Sequence, residues 1–211
     1  MSAPQGSPEW LAARVGMITA SRLKEVMAFS KAKTNAEGVP LVARKEYVTE
    51  KVIEIITGHP ITIKPNEAMQ WGTANEPMAR QTYEMTMMTP VQEAPFFVHH
   101  EYPFIGASPD GLVSMDGLIE IKCPWQMARH LDAILNSMDS DHRYQIQGQI
   151  WVTGRAWCDF VSYDPRFPEQ HQIYIQRVNR DDALISDMEK ACKSLWIEVQ
   201  EKVYQLGKVN S

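Results

Sequence analysis

The feature that most constrains the fold is a short apolar run, 118–122 (LIEIK), that carries a carboxylate and an ammonium group. Alternate residues of a β-strand point to opposite faces of the sheet. The run therefore predicts a strand with its isoleucines on one face and Glu120 and Lys122 on the other. An Asp-Gly pair at 116–117 predicts a turn that folds this strand back on the preceding one. A charged pair inside an apolar strand is hard to explain as a solvent-exposed face.

A second carboxylate precedes this strand. Asp110 lies in the segment 108–111 (SPDG), at the start of the preceding predicted strand, and the turn would bring it next to Glu120. Two carboxylates with an intervening backbone carbonyl are hard oxygen ligands of the kind that Mg²⁺ prefers. Lys122 would then orient or help to deprotonate the attacking water, and the predicted reaction is phosphodiester hydrolysis. The spacing alone would also suit a solvated hairpin, and the apolar context favours the site.

Helical and strand-like patterns alternate along the rest of the chain. Apolar residues at helical spacing predict helices over 43–57, 67–87, 124–138, 142–152 and 181–205. Short apolar or alternating runs predict strands near 96–98, 104–107, 111–113, 157–163 and 172–178. This order predicts an α/β or α+β fold in which a central mixed sheet is flanked by helices. No repeat or linker divides the chain, so one nuclease domain over residues 1–211 is expected.

Two helix starts follow one another near the N-terminus. Ser7 and Pro8 predict a first helix, which Gly16 would end. The segment 19–21 (TAS) predicts a hydroxyl cap on a second helix, whose free N–H groups could hold a phosphate. The polar segment 30–40 carries Lys31 and Lys33 and is interpreted as a mobile basic surface loop, either a connector or a DNA contact.

Composition limits the classes of function. In 211 residues, 44% hydrophobic and 22% charged, no apolar run is long enough to span a bilayer. The N-terminus lacks the pattern of a secretory signal, so a cytoplasmic protein is expected. A net charge of −5 argues against coating of nucleic acid through the overall field, but it is compatible with a nuclease. Three widely spaced cysteines fit neither a disulfide framework nor a zinc site.

The motifs around the carboxylates resemble those of a known family. The segments 108–111 (SPDG) and 120–124 (EIKCP) are similar to the signature of the phage lambda-type exonucleases, the YqaJ-like viral recombinase family within the PD-(D/E)xK nuclease superfamily. Further blocks resemble that family in the same order, so the resemblance covers nearly the whole chain. They are 10–14 (WLAAR), 18–21 (ITAS), 71–72 (WG), 75–76 (NE) and 151–153 (WVT).

The resemblance implies a restriction-endonuclease-like fold and a Mg²⁺-dependent 5′-to-3′ exonuclease. Such an enzyme processively digests the 5′ strand of linear double-stranded DNA and leaves 3′ single-stranded tails for recombination by strand annealing. The resemblance also implies two Mg²⁺ ions in each active site, with Mn²⁺ as a possible substitute. The implied partners are DNA ends, two further copies in a ring-shaped homotrimer and a single-strand annealing protein. A phage or prophage gene expressed in the cytoplasm of a bacterial host is implied as well.

The resemblance also assigns roles to particular residues. Asp110, Glu120 and the Ile121 carbonyl would be metal ligands, Lys122 would act on the water and Glu76 would assist at the second metal. Four residues would form a pocket for the 5′ phosphate: Arg14, Ser21, Ser108 and Gln147. Gln145 and Gln149 are expected to lie on a solvated helix face. Trp10 lies in a block near the DNA entrance of the family, where it could help to part the strands or simply fill the core.

Two alternatives remain open from the sequence. An endonuclease or single-strand nuclease would share Asp110, Glu120 and Lys122 but would have no use for a pocket that binds an end phosphate. A non-catalytic DNA-binding recombination module would keep the fold without turnover. The intact set of charged residues disfavours that reading.

Overall fold

The computed structural model describes residues 5–30, 38–61 and 64–209. Its helices are α1 (Pro8–Ala13), α2 (Leu23–Val26), α3 (Val42–Thr57), α4 (Glu67–Met87), α5 (Met127–Asn136), α6 (Asp141–Thr153) and α7 (Asp182–Val209). Its strands are β1 (Ile18–Thr19), β2 (Val91–Gln92), β3 (Phe97–Val98), β4 (Ile105–Ala107), β5 (Gly111–Val113), β6 (Gly117–Lys122), β7 (Trp157–Tyr163) and β8 (Ile173–Asn179). Single turns of 3-10 helix lie at Ala20–Arg22 and Glu169–His171.

The strands form a mixed sheet and a smaller one. The larger sheet has the order β2-β5-β6-β7-β8, in which β6 and β7 run parallel and the other neighbours run antiparallel. The smaller sheet has the order β1-β4-β3. Helices flank the larger sheet, so the predicted α/β architecture with a central mixed sheet is confirmed. The Asp-Gly turn joins β5 to β6 as predicted, and it pairs Val113 with Gly117.

The two faces of the larger sheet are covered by different helices. On one face, Ile119 and Ile121 of β6 pack with Tyr83 of α4 in one apolar cluster. On the other face, Leu118 packs in a larger cluster with residues of α3, α6 and α7. The alternation predicted for β6 is therefore observed, because its isoleucines are buried against α4 while Glu120 faces α6.

The N-terminal segment differs in part from the prediction. The first helix begins as predicted, because Ser7 accepts a hydrogen bond from the Trp10 N–H at 3.2 Å. The second helix has a 3-10 first turn and only four α-helical residues, and Thr19 forms no side-chain cap. The predicted hydroxyl cap is therefore wrong. Most of the predicted basic loop, at 31–37, lies outside the described residues.

No helix in the described ranges has the length and apolar character needed to cross a membrane.

Candidate active site

A cleft of about 540 Å³ opens beside β5 and β6, between α4 and α6. Every predicted site residue except Gln147 lines it: Trp10, Arg14, Ser21, Glu76, Ser108, Asp110, Glu120, Ile121 and Lys122. These residues come from five separate parts of the chain. The fold thus brings the predicted hydrolytic group and most of the predicted phosphate-binding group into one space.

Pairing of β5 with β6 places Asp110, which immediately precedes β5, directly beside β6. The Asp110 N–H donates to the Ile119 carbonyl at 3.1 Å, and the Ile121 N–H donates to Asp110 Oδ2 at 2.6 Å. Burial raises the pKa of the Asp110 carboxyl well above its usual value, and the negative charges of Glu120 and Glu76 raise it further. The cleft therefore concentrates negative charge at a point where a bound cation would relieve it.

Glu120 is held by three donors although it is only 2% exposed. Lys122 Nζ lies 2.5 Å from Oε1, Gln145 Nε2 lies 2.6 Å from the same oxygen, and Gln149 Nε2 lies 2.6 Å from Oε2. A buried carboxylate needs such partners, since an unpaired charge in the interior is strongly destabilising. The three donors fix the orientation of the carboxylate that faces the cleft.

The expectation that Gln145 and Gln149 are solvated was wrong. Residues four apart lie on the same face of a helix, and this face of α6 is turned toward β6 rather than toward water. The i, i+4 spacing of the two amides was the available signal. It did not reveal which face of α6 meets the sheet, because that depends on tertiary packing.

Gln147 lies on the opposite side of α6 and does not join the cleft. Its Nε2 donates to the Asn179 carbonyl at 2.7 Å, and its Oε1 accepts from the Asp181 N–H at 2.9 Å. The side chain is 1% exposed, so it is committed to joining α6 to the end of β8. The predicted place of Gln147 in a phosphate pocket therefore disagrees with the structure.

Lys122 carries its positive charge into the cleft. Burial lowers the pKa of its ammonium, but the negative charges of Glu120 and Asp110 more than offset this effect, and the pKa is raised overall. The group stays protonated at neutral pH. It can donate hydrogen bonds to water or to a phosphoryl oxygen, and it would act as a base only after losing its ion pair with Glu120.

Arg14 and Trp10 also line the cleft. The Arg14 guanidinium carbon lies 3.8 Å from the centroid of a Trp10 ring, and the Trp10 indole N–H donates to Ser108 Oγ at 3.0 Å. In the part of the chain that the structure describes, the Arg14 guanidinium has no ion pair or hydrogen bond. Burial lowers the pKa of Arg14, although Tyr47 and Glu54 oppose this shift. A half-buried cation whose N–H donors are unused among the described residues is suited to an anionic ligand.

Gly148 allows the Ser21 segment to approach the cleft. A Cβ at this position of α6 would lie 2.2 Å from Leu23 Cδ1 and 3.2 Å from Ala20 Cβ. A larger residue would require the Leu23 side chain to move and the 3-10 turn to give way slightly. Ser21 thereby lines the cleft, with its hydroxyl 3.3 Å from that of Thr19.

Glu76 faces the cleft from the middle of α4. This helix continues through Pro77, as the predicted helix over 67–87 requires. Its Oε1 accepts from Arg80 Nη2 at 3.3 Å. The carboxylate is close enough to Asp110 to raise the pKa of that residue, which places negative charge from a second element at the site.

The donors in the cleft suit a hard cation. Asp110, Glu120 and the Ile121 carbonyl supply only oxygen. Cys123 also lines the cleft, but burial raises the pKa of its thiol to about 12, so it is no thiolate ligand. Among residues 5–30, 38–61 and 64–209, no three His, Cys, Asp or Glu side chains converge as a metal site. Water or substrate oxygens would therefore have to complete the coordination of a bound cation.

Comparisons with known proteins agree with this geometry. A family model described as the YqaJ-like viral recombinase domain matches residues 9–156. The crystal structure of LHK-Exo, an alkaline exonuclease from Laribacter hongkongensis, is 38% identical, with a TM-score of 0.86 over 97% of this chain and 98% of that one. The crystal structure of LHK-Exo in complex with dAMP matches with the same identity and TM-score.

A phage related exonuclease from Haemophilus somnus 129PT is 19% identical, with a TM-score of 0.74 over 90% of this chain and 96% of its own. At that identity the likeness shows the fold alone. Among curated protein sequences there is no match.

Proposed function

The chain belongs to the YqaJ-like viral recombinase domain family and is a nuclease of the lambda exonuclease type, and from this premise we propose its reaction. It digests the 5′ strand of linear double-stranded DNA, from 5′ to 3′ and processively, with Mg²⁺. The product is a duplex with 3′ single-stranded tails, which are substrates for recombination by strand annealing.

One observation carries the proposal. A single cleft is lined by two neighbouring carboxylates and a lysine, and also by Ser108 and by an arginine that has no ion pair within the described residues. Hydrolysis requires the first group. Recognition of a terminal phosphate requires the second, and an enzyme that cuts inside a strand has no use for it.

The residues of this chain suggest the following roles. Asp110, Glu120 and the Ile121 carbonyl would hold Mg²⁺, and Glu76 would assist at a second ion, with Mn²⁺ as a possible substitute. Bound cations would lower the pKa of the attacking water and neutralise charge on the phosphoryl oxygens. Gln145 and Gln149 orient the Glu120 carboxylate. Lys122 donates hydrogen bonds that hold the water in line.

Arg14, Ser21 and Ser108 would bind the 5′ phosphate at the other end of the terminal nucleotide. A guanidinium offers several N–H donors in one plane, which matches the geometry of a phosphate. Binding the end rather than an internal phosphodiester would set the register of the cut. This arrangement would give release of one nucleotide at a time.

Five further properties belong to the same proposal. Residues 1–211 form one nuclease domain, supported by two apolar clusters that pack on opposite faces of one sheet. Three copies form a ring around the duplex, and a single-strand annealing protein receives the tails. The protein acts in the cytoplasm of a bacterial host and comes from a phage or prophage gene.

The test is digestion of one plasmid, supercoiled and linearised, with Mg²⁺ or with EDTA. The linear form is prepared with 5′-phosphate and with 5′-hydroxyl ends. We expect loss of the linear form only, dependent on Mg²⁺ and fastest from phosphorylated ends. Cleavage of the closed circle would support the endonuclease instead. Equal digestion by the Lys122→Ala variant would remove Lys122 from the mechanism.

A further inference from the structure

Trp10 connects two residues of the candidate phosphate pocket. Its indole N–H donates to Ser108 Oγ at 3.0 Å, although the two residues are 98 positions apart in the sequence. The centroid of one of its rings lies 3.8 Å from the Arg14 guanidinium carbon. A single half-buried side chain thus contacts both the hydroxyl of Ser108 and the guanidinium of Arg14.

The hydrogen bond determines what the Ser108 hydroxyl can do. An indole N–H can only donate, so Ser108 Oγ must act as the acceptor in this contact. Within the described residues its own O–H has no acceptor, so it can donate toward the cleft that Ser108 lines. A phosphate oxygen can only accept from such a donor. The direction of the Trp10 hydrogen bond therefore leaves the Ser108 O–H available to donate to an anion.

The ring contact has a similar effect on Arg14. The guanidinium carbon of Arg14 lies over a ring of Trp10, where the electron-rich face of the indole attracts a cation. This contact limits the freedom of a long side chain, while its N–H donors make no hydrogen bond within the described residues. The side chain is thereby ordered before any ligand arrives, which lowers the entropy lost on binding.

From these two contacts we infer that Trp10 is a positioning residue of the 5′-phosphate pocket rather than a wedge that parts the strands. A wedge needs a ring face and edge free to enter the base stack. The indole edge of Trp10 is bound to Ser108 and one face is covered by Arg14. This inference rests on the proposed function, because it assumes an end-phosphate site.

The experiment compares initial rates on linear duplexes with 5′-phosphate and 5′-hydroxyl ends. Trp10→Phe keeps a ring for Arg14 but removes the N–H. Its rate on phosphorylated ends should fall about fivefold, the effect of one hydrogen bond, while its rate on hydroxyl ends changes less than about twofold. Trp10→Leu removes both contacts and should abolish most of the preference. Trp125→Phe, at a tryptophan outside the cleft, is the matched control and should keep the preference.

A third substrate tests the wedge directly. If Trp10 parted the strands, both variants would slow equally on the two end chemistries, and mismatched, already frayed ends would restore the rate. That pattern would overturn the inference while leaving the proposed function intact. A wild-type chain without preference for phosphorylated ends would overturn the end-phosphate site and this inference with it.

A double-mutant comparison separates positioning from a general structural defect. If Trp10 acts through Ser108, then Trp10→Phe with Ser108→Ala should be no slower on phosphorylated ends than Ser108→Ala alone. Fully multiplicative losses would contradict the connection. Far-UV circular dichroism and Tm of each variant, compared with the wild type, identify any protein that has failed to fold.

Discussion

At the scale of single residues, the charge of Asp110 opposes folding while it prepares the site. Burial and the neighbouring charges of Glu120 and Glu76 raise its pKa well above 3.8. At a pH between the ordinary and the raised pKa, the folded protein therefore binds a proton that the unfolded chain has released. The stability of the metal-free protein should fall as pH rises from the ordinary carboxyl pKa to the raised one, and it should stay lower above that range.

Replacing this carboxylate should separate stability from activity. In EDTA near pH 8, Asp110→Asn should raise Tm by about 2–4 °C, equivalent to roughly 1 kcal/mol for a domain of this size. The same variant should lose cleavage by about a thousandfold, while largely keeping its binding to duplex DNA. Differential scanning calorimetry measures Tm, digestion of linear duplex DNA measures cleavage, and a filter-binding assay measures binding to duplex DNA.

Two controls accompany the Asp110 measurement. Asp187→Asn, at a carboxylate that is 65% exposed on α7, should leave both Tm and cleavage close to wild type. Added Mg²⁺ should raise the Tm of the wild type but not that of Asp110→Asn. A lower Tm for Asp110→Asn in EDTA would show that its carboxylate is stabilising and would contradict the electrostatic account.

Arg14 provides a prediction about the end of the substrate. Its guanidinium has no ion pair in the described part of the chain, so its removal leaves no buried carboxylate unpaired. Arg14→Ala should slow digestion of 5′-phosphorylated ends by about 10- to 100-fold and have little effect on 5′-hydroxyl ends. Arg180→Ala, which removes an exposed partner of Asp182, is the control and should affect neither. Equal slowing on both ends would remove Arg14 from the pocket.

At the scale of elements, α6 carries glutamines with different hydrogen-bond partners on its two faces. Gln145 and Gln149 face β6 and donate to Glu120, whereas Gln147 joins the helix to residues 179 and 181. A helix turns by about 100° per residue, so side chains two apart lie on opposite faces. The same residue type thus serves the cleft on one face and the fold on the other.

Substitutions on the two faces of α6 should have opposite signatures. Gln145→Ala removes one charge-assisted hydrogen bond from Glu120 and should lower the cleavage rate by about tenfold at nearly unchanged Tm. Gln147→Ala leaves a buried N–H and carbonyl unpaired and should lower the free energy of unfolding by about 1–3 kcal/mol. The folded fraction of Gln147→Ala should keep its preference for 5′-phosphate ends. Rate and urea denaturation measurements on both variants decide the assignment, and a selective loss of that preference would return Gln147 to the pocket.

The same contrast shows how far sequence reasoning reaches. The alternation in β6 and the Asp-Gly turn predict that Asp110 approaches Glu120, because strand geometry is local. Helix α4 was predicted across its length, since the apolar period outweighs Pro77. The face that α6 turns toward the sheet depends on tertiary contacts such as the close approach at Gly148, so periodicity could not assign its glutamines. The 3-10 turn at Ala20–Arg22 was missed for the same reason.

At the scale of the whole molecule, the two faces of the larger sheet differ in role, since one packs in an apolar cluster and the other carries candidate site residues. One face of β6 is sealed against α4, and the other carries Glu120 and Lys122 toward the cleft beside α6. The net charge of −5 means that attraction to DNA cannot come from the overall field. The processive digestion that we propose would need another way to keep the chain on its substrate. The proposed ring would provide it by enclosing the duplex.

If the proposed ring forms, it determines both the mass of the protein in solution and the processivity of DNA digestion. In solution the protein should have a mass of about 72 kDa, three times the chain mass of 24.1 kDa, when measured by light scattering after size exclusion. Digestion that has started should continue after excess unlabelled linear DNA is added, because a closed ring releases the duplex slowly. Dilution should reduce initiation but not the length digested per event. A monomer of 24.1 kDa that is nevertheless processive would show that the ring is not what retains the DNA.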